Sequence, residues 1–423
     1  MDVEEYLSNF AKYTDKPTLD AMIWLMEKYN NPHNNMKFIH VAGTNGKGSV
    51  CEMLSNVLVK QGYKVGKFIS PHLISFNDGI IVNNKEITDD EVNEILIPLS
   101  QKIEEYNKTH ENNVTWFEVI TSIALIYFSK QNCDIVVLET GMGGMYDCTN
   151  IILPIISVIT SVGLDHTEIL GKTIEDIAYK KAGIIKQNSD TVVYKQKETI
   201  DIFKNVCLQR NNTLHIVDEK DIIDVSYNSK IQTFSYKQYK NIDINLKGKK
   251  QLNNASICLE CIDILNKKGF NIKQQSIREG LKTVVHRARF EILQENPKII
   301  FDGAHNESAI DHLKQSINQY ESKSKRVYII SILNTKDEKI ILKKMLEDRD
   351  AIFYLTDGND TSRYTAKETL LKEAKEYANK NTIIKTKSLE EAINEAKREF
   401  SDYTIFIIGS FYVYKTVIDI LKK

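Results

Sequence analysis

The sequence predicts an α/β protein of two domains. Residues 1–295 form a phosphate-loop domain with a mostly parallel sheet and a small antiparallel edge sheet, and residues 296–423 form a smaller, doubly wound α/β domain. Three observations carry this. A chain of 423 residues exceeds what one hydrophobic core usually serves. The apolar run Phe38 to Val41 leads through Ala42-Gly43-Thr44-Asn45-Gly46-Lys47-Gly48-Ser49 into a helical pattern at Val50–Leu58, and a second strand returns at Tyr63–Ile69, which together make a βαβ unit. The runs Asp134–Leu138 and Ile155–Thr160 are short and nearly all apolar, the composition of central parallel strands buried on both faces.

Bulk properties narrow the function. Hydrophobic residues at 42%, charged residues at 27% and a net charge of -1 describe an ordinary globular protein. That charge gives no electrostatic reason to expect nucleic acid or an anionic membrane as partner, so any acidic ligand must be held by local groups. No apolar run approaches the roughly 20 residues of a membrane span. Six scattered cysteines and the absence of a cleavable apolar leader at Met1-Asp2-Val3-Glu4-Glu5 predict thiols in a reducing cytoplasm. Cys258 and Cys261 form a lone C-x-x-C on a helical pattern and are expected to be buried small apolar residues rather than a metal or redox pair.

Taken in order, Tyr6 to Asn30 carries helical periodicity, with Leu19, Met22, Ile23, Leu25 and Met26 on one apolar face, and reads as a covering helix. The glycine-rich loop at residues 43–48 turns backbone N–H groups and a helix N-terminus toward an anion. Lys47 would reach the β/γ-phosphates and Ser49 would lie near Mg²⁺. Gly48 intervenes between Lys and Ser, and Val41 holds the usual first glycine position, so a plain strand-to-helix turn is the alternative. The second strand delivers Ser70-Pro71-His72 at its C-terminal end, where open α/β sheets place ligands. Thr115-Trp116-Phe117-Glu118 opens an apolar helix through Phe128; the two aromatics serve either as core or as walls for a flat heteroaromatic substrate. Glu139, followed by Thr140-Gly141-Met142-Gly143-Gly144, takes the Mg²⁺-side position of phosphate-loop ATPases. The strand at Ile155–Thr160 leads to Gly163-Leu164-Asp165-His166. Lys181, on a helix from Thr173 to Lys186, reads from position alone as a solvated side chain. Short alternating runs from Thr191 to Leu246 predict the antiparallel edge sheet, and Asn254, in Gln251–Ala255, either caps a helix or contacts an adenine edge.

A hinge is expected near Asn296-Pro297. Beyond it, strands at Lys298–Phe301, Arg326–Ile332, Ala351–Leu355, Ile383–Lys385 and Tyr403–Ile408 alternate with helices, without a second phosphate loop. The first of these strands ends in Asp302-Gly303-Ala304-His305-Asn306 and the last in Gly409-Ser410-Phe411-Tyr412, both at the expected ligand edge, so ligands bridging the domains are anticipated.

With His40–Ser49, Ser70-Pro71-His72-Leu73, Glu139–Gly144, Leu164-Asp165-His166-Thr167, Lys181-Ala182-Gly183-Ile184 and Asp302–Asn306 in one order, the chain resembles the folylpolyglutamate synthase and dihydrofolate synthase family, relatives of the Mur ligases, over nearly its whole length. The family's own loop, Gly-Thr-Asn-Gly-Lys-Gly-Ser, accounts for Gly48. The resemblance implies a Mur-ligase-like ATP-binding domain followed by a Rossmann-like glutamate-ligase domain. It implies ATP phosphates on Asn45, Gly46, Lys47, Gly48 and Ser49, and two Mg²⁺ ions served by Ser70, Glu139 and His166. Asn254, Arg289 and Asp302 would contact adenosine and phosphate. Lys181 would be carbamylated by CO₂ and support the second Mg²⁺, Thr115–Glu118 would lie against the pterin, and His305 and Ser410 would meet the incoming glutamate. The chain departs from the family where Met145-Tyr146-Asp147-Cys148-Thr149-Asn150 replaces Arg-Leu-Asp-Ala-Thr-Asn, which leaves binding of the carboxylate tail open. Val285-His286-Arg287-Ala288-Arg289-Phe290 replaces Trp-Pro-Gly-Arg and makes Arg287 a competitor of Arg289, and Lys180 stands where Glu is usual.

The implied activity is an ATP-driven amide ligase, with Lys47, Glu139, His166 and Lys181 as its catalytic residues. A carboxylate of folate or dihydropteroate attacks the γ-phosphorus to give an acyl phosphate, and the amine of L-glutamate displaces phosphate. Closure of the second domain would exclude water from the acyl phosphate. A cytoplasmic monomer is expected, with no nucleic acid or membrane partner. The alternatives are another Mur-type amino-acid ligase and a non-catalytic P-loop nucleotide-binding protein; a mere switch would not need the set Ser70, Glu139, His166 and Lys181 plus a second domain.

Overall fold

The computed structural model describes residues 3–11 and 17–422. Met1 and Asp2 of the expected leader-free start, and residues 12–16 of the expected Tyr6–Asn30 helix, lie outside them. The described part of that stretch is two helices, Val3–Ser8 and Asp20–Glu27. The chain divides into two compact units: Met1–Ser226 with Thr233–Asn245 and Gln251–Val284, and Tyr227–Gln232 with Leu246–Lys250 and Val285–Lys423.

The first unit is built on an eight-stranded sheet. Its strands are β1 (Phe38–Ala42), β2 (Val65–Phe68), β3 (Ile80–Val82), β4 (Lys85–Glu86), β5 (Ile135–Glu139), β6 (Ile156–Ile159), β7 (Asp190–Tyr194) and β8 (Thr213–Val217), in the order β4-β3-β2-β5-β1-β6-β7-β8. From β2 to β8 every pairing is parallel, and β3 and β4 add an antiparallel edge. Every residue of β1, β5 and β6 is buried, as the apolar composition of central parallel strands requires. One hydrophobic cluster joins Phe68, Val136 and Leu138 to the helices at Asp20–Glu27, Asp89–Thr109 and Trp116–Lys130; another joins Ala42, Ile159 and Val193 to those at Ile174–Lys181 and Ile200–Gln209. Because β2, β5, β1 and β6 are parallel neighbours, their C-terminal ends, and so Ser70, Glu139, the 43–48 loop and Thr160-Ser161, come to one edge of the sheet.

The expected antiparallel region from Thr191 to Leu246 is smaller than its sequence suggests. β7 and β8 are parallel strands of the main sheet, joined by the helix Ile200–Gln209. Only β9 (Ile222–Tyr227), β10 (Gln232–Tyr236) and β11 (Tyr239–Ile244) form the separate three-stranded antiparallel sheet. β8 is a partly buried edge strand in which Leu214 and Ile216 alternate with Thr213 and His215, a period that a parallel edge strand can share with an antiparallel one. Cys258 and Cys261 are buried free thiols on the helix Lys249–Lys267.

The second unit holds a six-stranded sheet of β12 (Glu291–Glu295), β13 (Lys298–Asp302), β14 (Arg326–Ser331), β15 (Ile352–Thr356), β16 (Ile383–Thr386) and β17 (Thr404–Ile408), ordered β12-β13-β17-β14-β15-β16. All pairs are parallel except β12 with β13. Asn296-Pro297 therefore turns a hairpin inside the second sheet, and the division of the chain falls ahead of it, between Val284 and Val285. Return of the chain as β17 between β13 and β14 makes the switch point at which such sheets take ligands. No helix among the described residues is long and apolar enough to cross a membrane.

Candidate active site

The loop between β1 and the helix Lys47–Gln61 is braced from β6. Thr44 N–H donates to the Ser161 carbonyl at 2.7 Å, Thr44 Oγ1 to the Gly163 carbonyl at 3.0 Å, and the Thr160 and Ser161 hydroxyls to the Asn45 carbonyl at 2.9 and 3.0 Å. Gly43, at φ +154°, lies so close to Thr160 that a Cβ would sit 1.8 Å from its Oγ1; Gly46, at φ +97°, would place one 2.6 Å from Asn254 Oδ1. Two glycines are thus required by conformation and by space. The loop then enters a 15-residue helix whose first N–H groups have no intrahelical acceptor, the arrangement that receives phosphate oxygens. Asn254, expected as a nucleotide contact, is buried beside that loop, with its amide donating to Gln251 Oε1 at 3.0 Å.

Lys47 and Glu139 converge, with Nζ and Oε1 3.7 Å apart. Lys47 also donates to the Gly43 carbonyl at 3.3 Å, and Glu139 Oε2 accepts the Ser70 N–H at 3.2 Å. Ser49 and Glu139 are each 2% exposed, so the carboxylate is held at the base of the loop. His166, from the loop after β6, is an exposed residue in left-handed conformation with Nε2 3.9 Å from Asp165 Oδ1.

Lys181 is not on a solvated face. It is 3% exposed, and its Nζ donates to the Gly43 carbonyl at 2.8 Å. Burial, reinforced by the Lys47 charge and opposed by Asp165 and Asp147, holds its ammonium down to about 7. The turn from Gly141 to Asn150 is tied by Asp147, which accepts from Met142 N–H at 2.7 Å and from Thr149 Oγ1 at 2.5 Å. Thr149 Oγ1 in turn meets Nε2 of the fully buried His40 at 2.8 Å. Burial pushes the Asp147 carboxyl up and the His40 imidazole down to about 3. Neither His40 nor Asp147 was assigned a role from the sequence pattern; for His40, a polar residue inside the apolar strand β1, that position was the available sign, whereas Asp147 lies in a turn.

The Thr115 and Glu118 side chains are engaged with each other at the start of the helix Trp116–Lys130. They form a capping box: Thr115 N–H and Oγ1 each donate to Glu118 Oε2 at 2.7 Å. Burial raises the Glu118 carboxyl, against those hydrogen bonds. Trp116 and Phe117 are half-buried, Trp116 with its ring centre 5.5 Å from that of His72 and Phe117 5.8 Å from Phe68.

Within the second unit, Asp302 accepts from Phe290 N–H at 2.8 Å and Ala304 N–H at 2.9 Å; burial raises its carboxyl and Arg289 opposes the rise. Arg289 lies 4.3 Å from the Phe411 ring centre, and the His305 ring meets the same phenyl edge-on at 5.4 Å. Arg289, Asp302 and His305 therefore form one cluster, while Arg287 is exposed. Ser410 is buried, with Oγ 3.1 Å from the Tyr364 hydroxyl.

Among the described residues no group of three or more His, Cys, Asp or Glu side chains is placed to hold a metal by itself. The oxygen donors at Ser70 and Glu139 suit a hard cation such as Mg²⁺, which keeps water and phosphate oxygens in most of its positions and needs few protein ligands.

Residues 41–262 match the Mur ligase middle domain, and residues 286–420 match the dihydrofolate synthetase C-terminal domain. The Bacillus subtilis dihydrofolate synthase/folylpolyglutamate synthase is 31% identical, with 100% of this chain and 98% of the relative covered. The structure of Thermotoga maritima folylpolyglutamate synthase superposes with a TM-score of 0.84 at 32% identity, covering 100% of this chain and 96% of that one. E. coli FolC, solved in complex with DHPP and ADP, superposes with a TM-score of 0.85 at 26% identity, over 99% and 96% of the two chains. With the loop, the acidic strand end and the buried lysine in family order on this framework, the chain belongs to the folylpolyglutamate synthase/dihydrofolate synthase family of Mur-type ligases.

Proposed function

We propose that the protein is an ATP-dependent ligase that joins L-glutamate to the carboxylate of a folate, of dihydropteroate, or of both. The observation that carries this reading is the convergence of Lys47 on Glu139 at 3.7 Å under a glycine loop that opens a helix. A carboxylate is a poor electrophile, so its oxygen takes the γ-phosphoryl group of ATP before the amine of glutamate displaces phosphate. Catalysis of that transfer is positioning and charge neutralisation. Lys47 and the helix N-terminus stabilise the phosphoryl oxygens, and Glu139 keeps Lys47 oriented. Ser70, Glu139 and His166 would hold Mg²⁺, which when bound would add to the neutralisation of the transferring group.

Lys181 is proposed to carry a carbamate. Its amine, held to about 7, is largely neutral at pH 8 and can attack CO₂, forming an N–C bond with release of one proton; the product is an anion suited to a second Mg²⁺. Asn45 to Ser49 and Asn254 are assigned to the nucleotide in the first unit, and Trp116 and Phe117 to the pterin. In the second unit Arg289 and Asp302 are assigned to the nucleotide, and His305 and Ser410 to glutamate. A monomer is the proposed working state.

The test is phosphate release and product mass with ATP, Mg²⁺, L-glutamate and either dihydropteroate or a tetrahydrofolate. Release that requires glutamate and one of these acceptors, with one glutamyl residue added per phosphate, is expected. ATP hydrolysis indifferent to both acceptors would overturn the reading in favour of a nucleotide-binding protein, and turnover with other carboxylates alone would favour another Mur-type ligase.

A further inference from the structure

The C-terminal edge of the second unit's sheet holds a cationic side chain that no sequence motif pointed to. β14 ends in Ser331 and β15 in Thr356, whose hydroxyls meet at 2.7 Å, and β17 leads into Gly409 and Ser410. The segment after β15 is drawn back across this edge. Thr365 N–H donates to the Ile332 carbonyl at 2.9 Å and Asn334 N–H to the Arg363 carbonyl at 3.1 Å. Asn334 Nδ2 donates to the Ser362 carbonyl at 3.1 Å, and Leu333 and Tyr364 form an antiparallel bridge. Two consecutive side chains of the segment are thereby aimed at the start of the last helix. The Tyr364 hydroxyl lies 3.1 Å from Ser410 Oγ, and the Arg363 guanidinium lies 4.3 Å from the ring centre of Tyr412.

The chemistry of the position follows from what each neighbour already does. Lys367, the next cation along, is held by Asp357 at 2.7 Å. Asp360 is the acid closest in sequence to Arg363. Its exposed carboxylate is occupied by the N–H and hydroxyl of Ser362 at 3.0 and 2.6 Å, and an exposed pair of this kind is worth little. Stacking on Tyr412 restricts the guanidinium without consuming its donors. A planar fork fixed in this way is made for a carboxylate. The incoming amino acid must present its α-amine for attack, so its carboxylates are the groups left for recognition.

We infer that Arg363 is a specificity-determining residue of the ligase, its guanidinium receiving the side-chain carboxylate of the incoming L-glutamate, the group that glutamine lacks, beside the Ser410 hydroxyl that Tyr364 fixes. The assignment rests on the ligase reading above. Tyr364 is a positioning residue here, and Arg363 the group that touches substrate.

The experiment is steady-state kinetics of the full chain with L-glutamate and with L-glutamine, the side-chain amide, at saturating ATP and acceptor. In Arg363→Ala the KM for L-glutamate should rise roughly ten- to a hundredfold, the loss expected for one charge-assisted pair. The KM for ATP should stay within about twofold, and the preference for glutamate over glutamine should narrow by at least about tenfold. Arg363→Lys, which keeps the charge and loses the fork, should fall between, and carries the test if the alanine variant does not fold. A glutamate KM within about twofold of the unaltered protein, or equal losses with glutamate and glutamine, would overturn the assignment alone. Absence of glutamate-dependent turnover in the unaltered protein would overturn the ligase reading and this assignment with it.

Discussion

Lys181 makes the stability of the first unit depend on pH, and the size of the effect can be worked from its surroundings. In the unfolded chain its amine titrates at the ordinary 10.5, while in the folded protein burial holds it to about 7. Between those values the unfolded state binds more protons than the folded one, so stability rises with pH across the window. The contribution is complete above pH 10.5 and is lost as the pH falls through 7. At about 1.36 kcal/mol per unit of displacement, with half the folded molecules already deprotonated at pH 7, raising the pH from 7 to 9 should add about 2 kcal/mol from this group alone. Lys181→Met keeps the volume and removes the titration. Lys186, pushed down to about 8 by burial and by Arg210, acts in the same direction but is present in both proteins, so it cancels from the difference between them. Urea unfolding at pH 7 and 9 in CO₂-free buffer reports the effect through tryptophan fluorescence, since Trp24 and Trp116, the two tryptophans, belong to the first unit. A difference in pH dependence below about 0.5 kcal/mol between wild type and variant would refute the account of a desolvated, neutral Lys181.

The same geometry sets three further expectations. Lys47→Ala should lower turnover at least about a hundredfold in a phosphate-release assay, the usual cost of one preorganised donor to developing charge; near wild-type ligation would count against the mechanism. Gly43→Ala should weaken ADP binding more than about tenfold by calorimetry, because Thr160 is pinned by hydrogen bonds to the Ala42 and Asn45 carbonyls and cannot yield to the new methyl. Adding Thr160→Ala to that variant should recover part of the loss, and no recovery would mean that backbone conformation alone accounts for it. Thr115→Ala should cost about 1–2 kcal/mol in urea unfolding, since it removes the cap and one donor of a buried carboxylate; an unchanged midpoint would show that the capping box is not formed.

What the sequence made legible divides along a physical line. The central strands β1, β5 and β6 and the loop after β1 could be found because burial on both faces and glycine-rich turn chemistry leave local marks in the chain. β8 could not be told from an antiparallel strand, since an edge position alternates whichever way its neighbour runs. The helix Asp89–Thr109 runs through Pro98, a residue that argues against a helix interior, although Thr88 and Glu91 carry the marks of its capping box in the sequence. The site divides in the same way. Lys47 and Glu139 stand beside the backbone features that position them, so their meeting could be anticipated from strand ends alone. Lys181 meets the Gly43 carbonyl from 138 positions away, and nothing in its own helix distinguishes it from the neighbouring Lys180; only resemblance singled it out, and only packing explains why its ammonium is disfavoured. Arg363 belongs with Lys181, because its position over the Tyr412 ring arises from a segment folding back over a sheet edge. Side chains whose chemistry depends on distant burial or on a returning loop are therefore the ones that sequence alone leaves unmarked, and here they include the buried Lys181 and the cation proposed to select the amino acid.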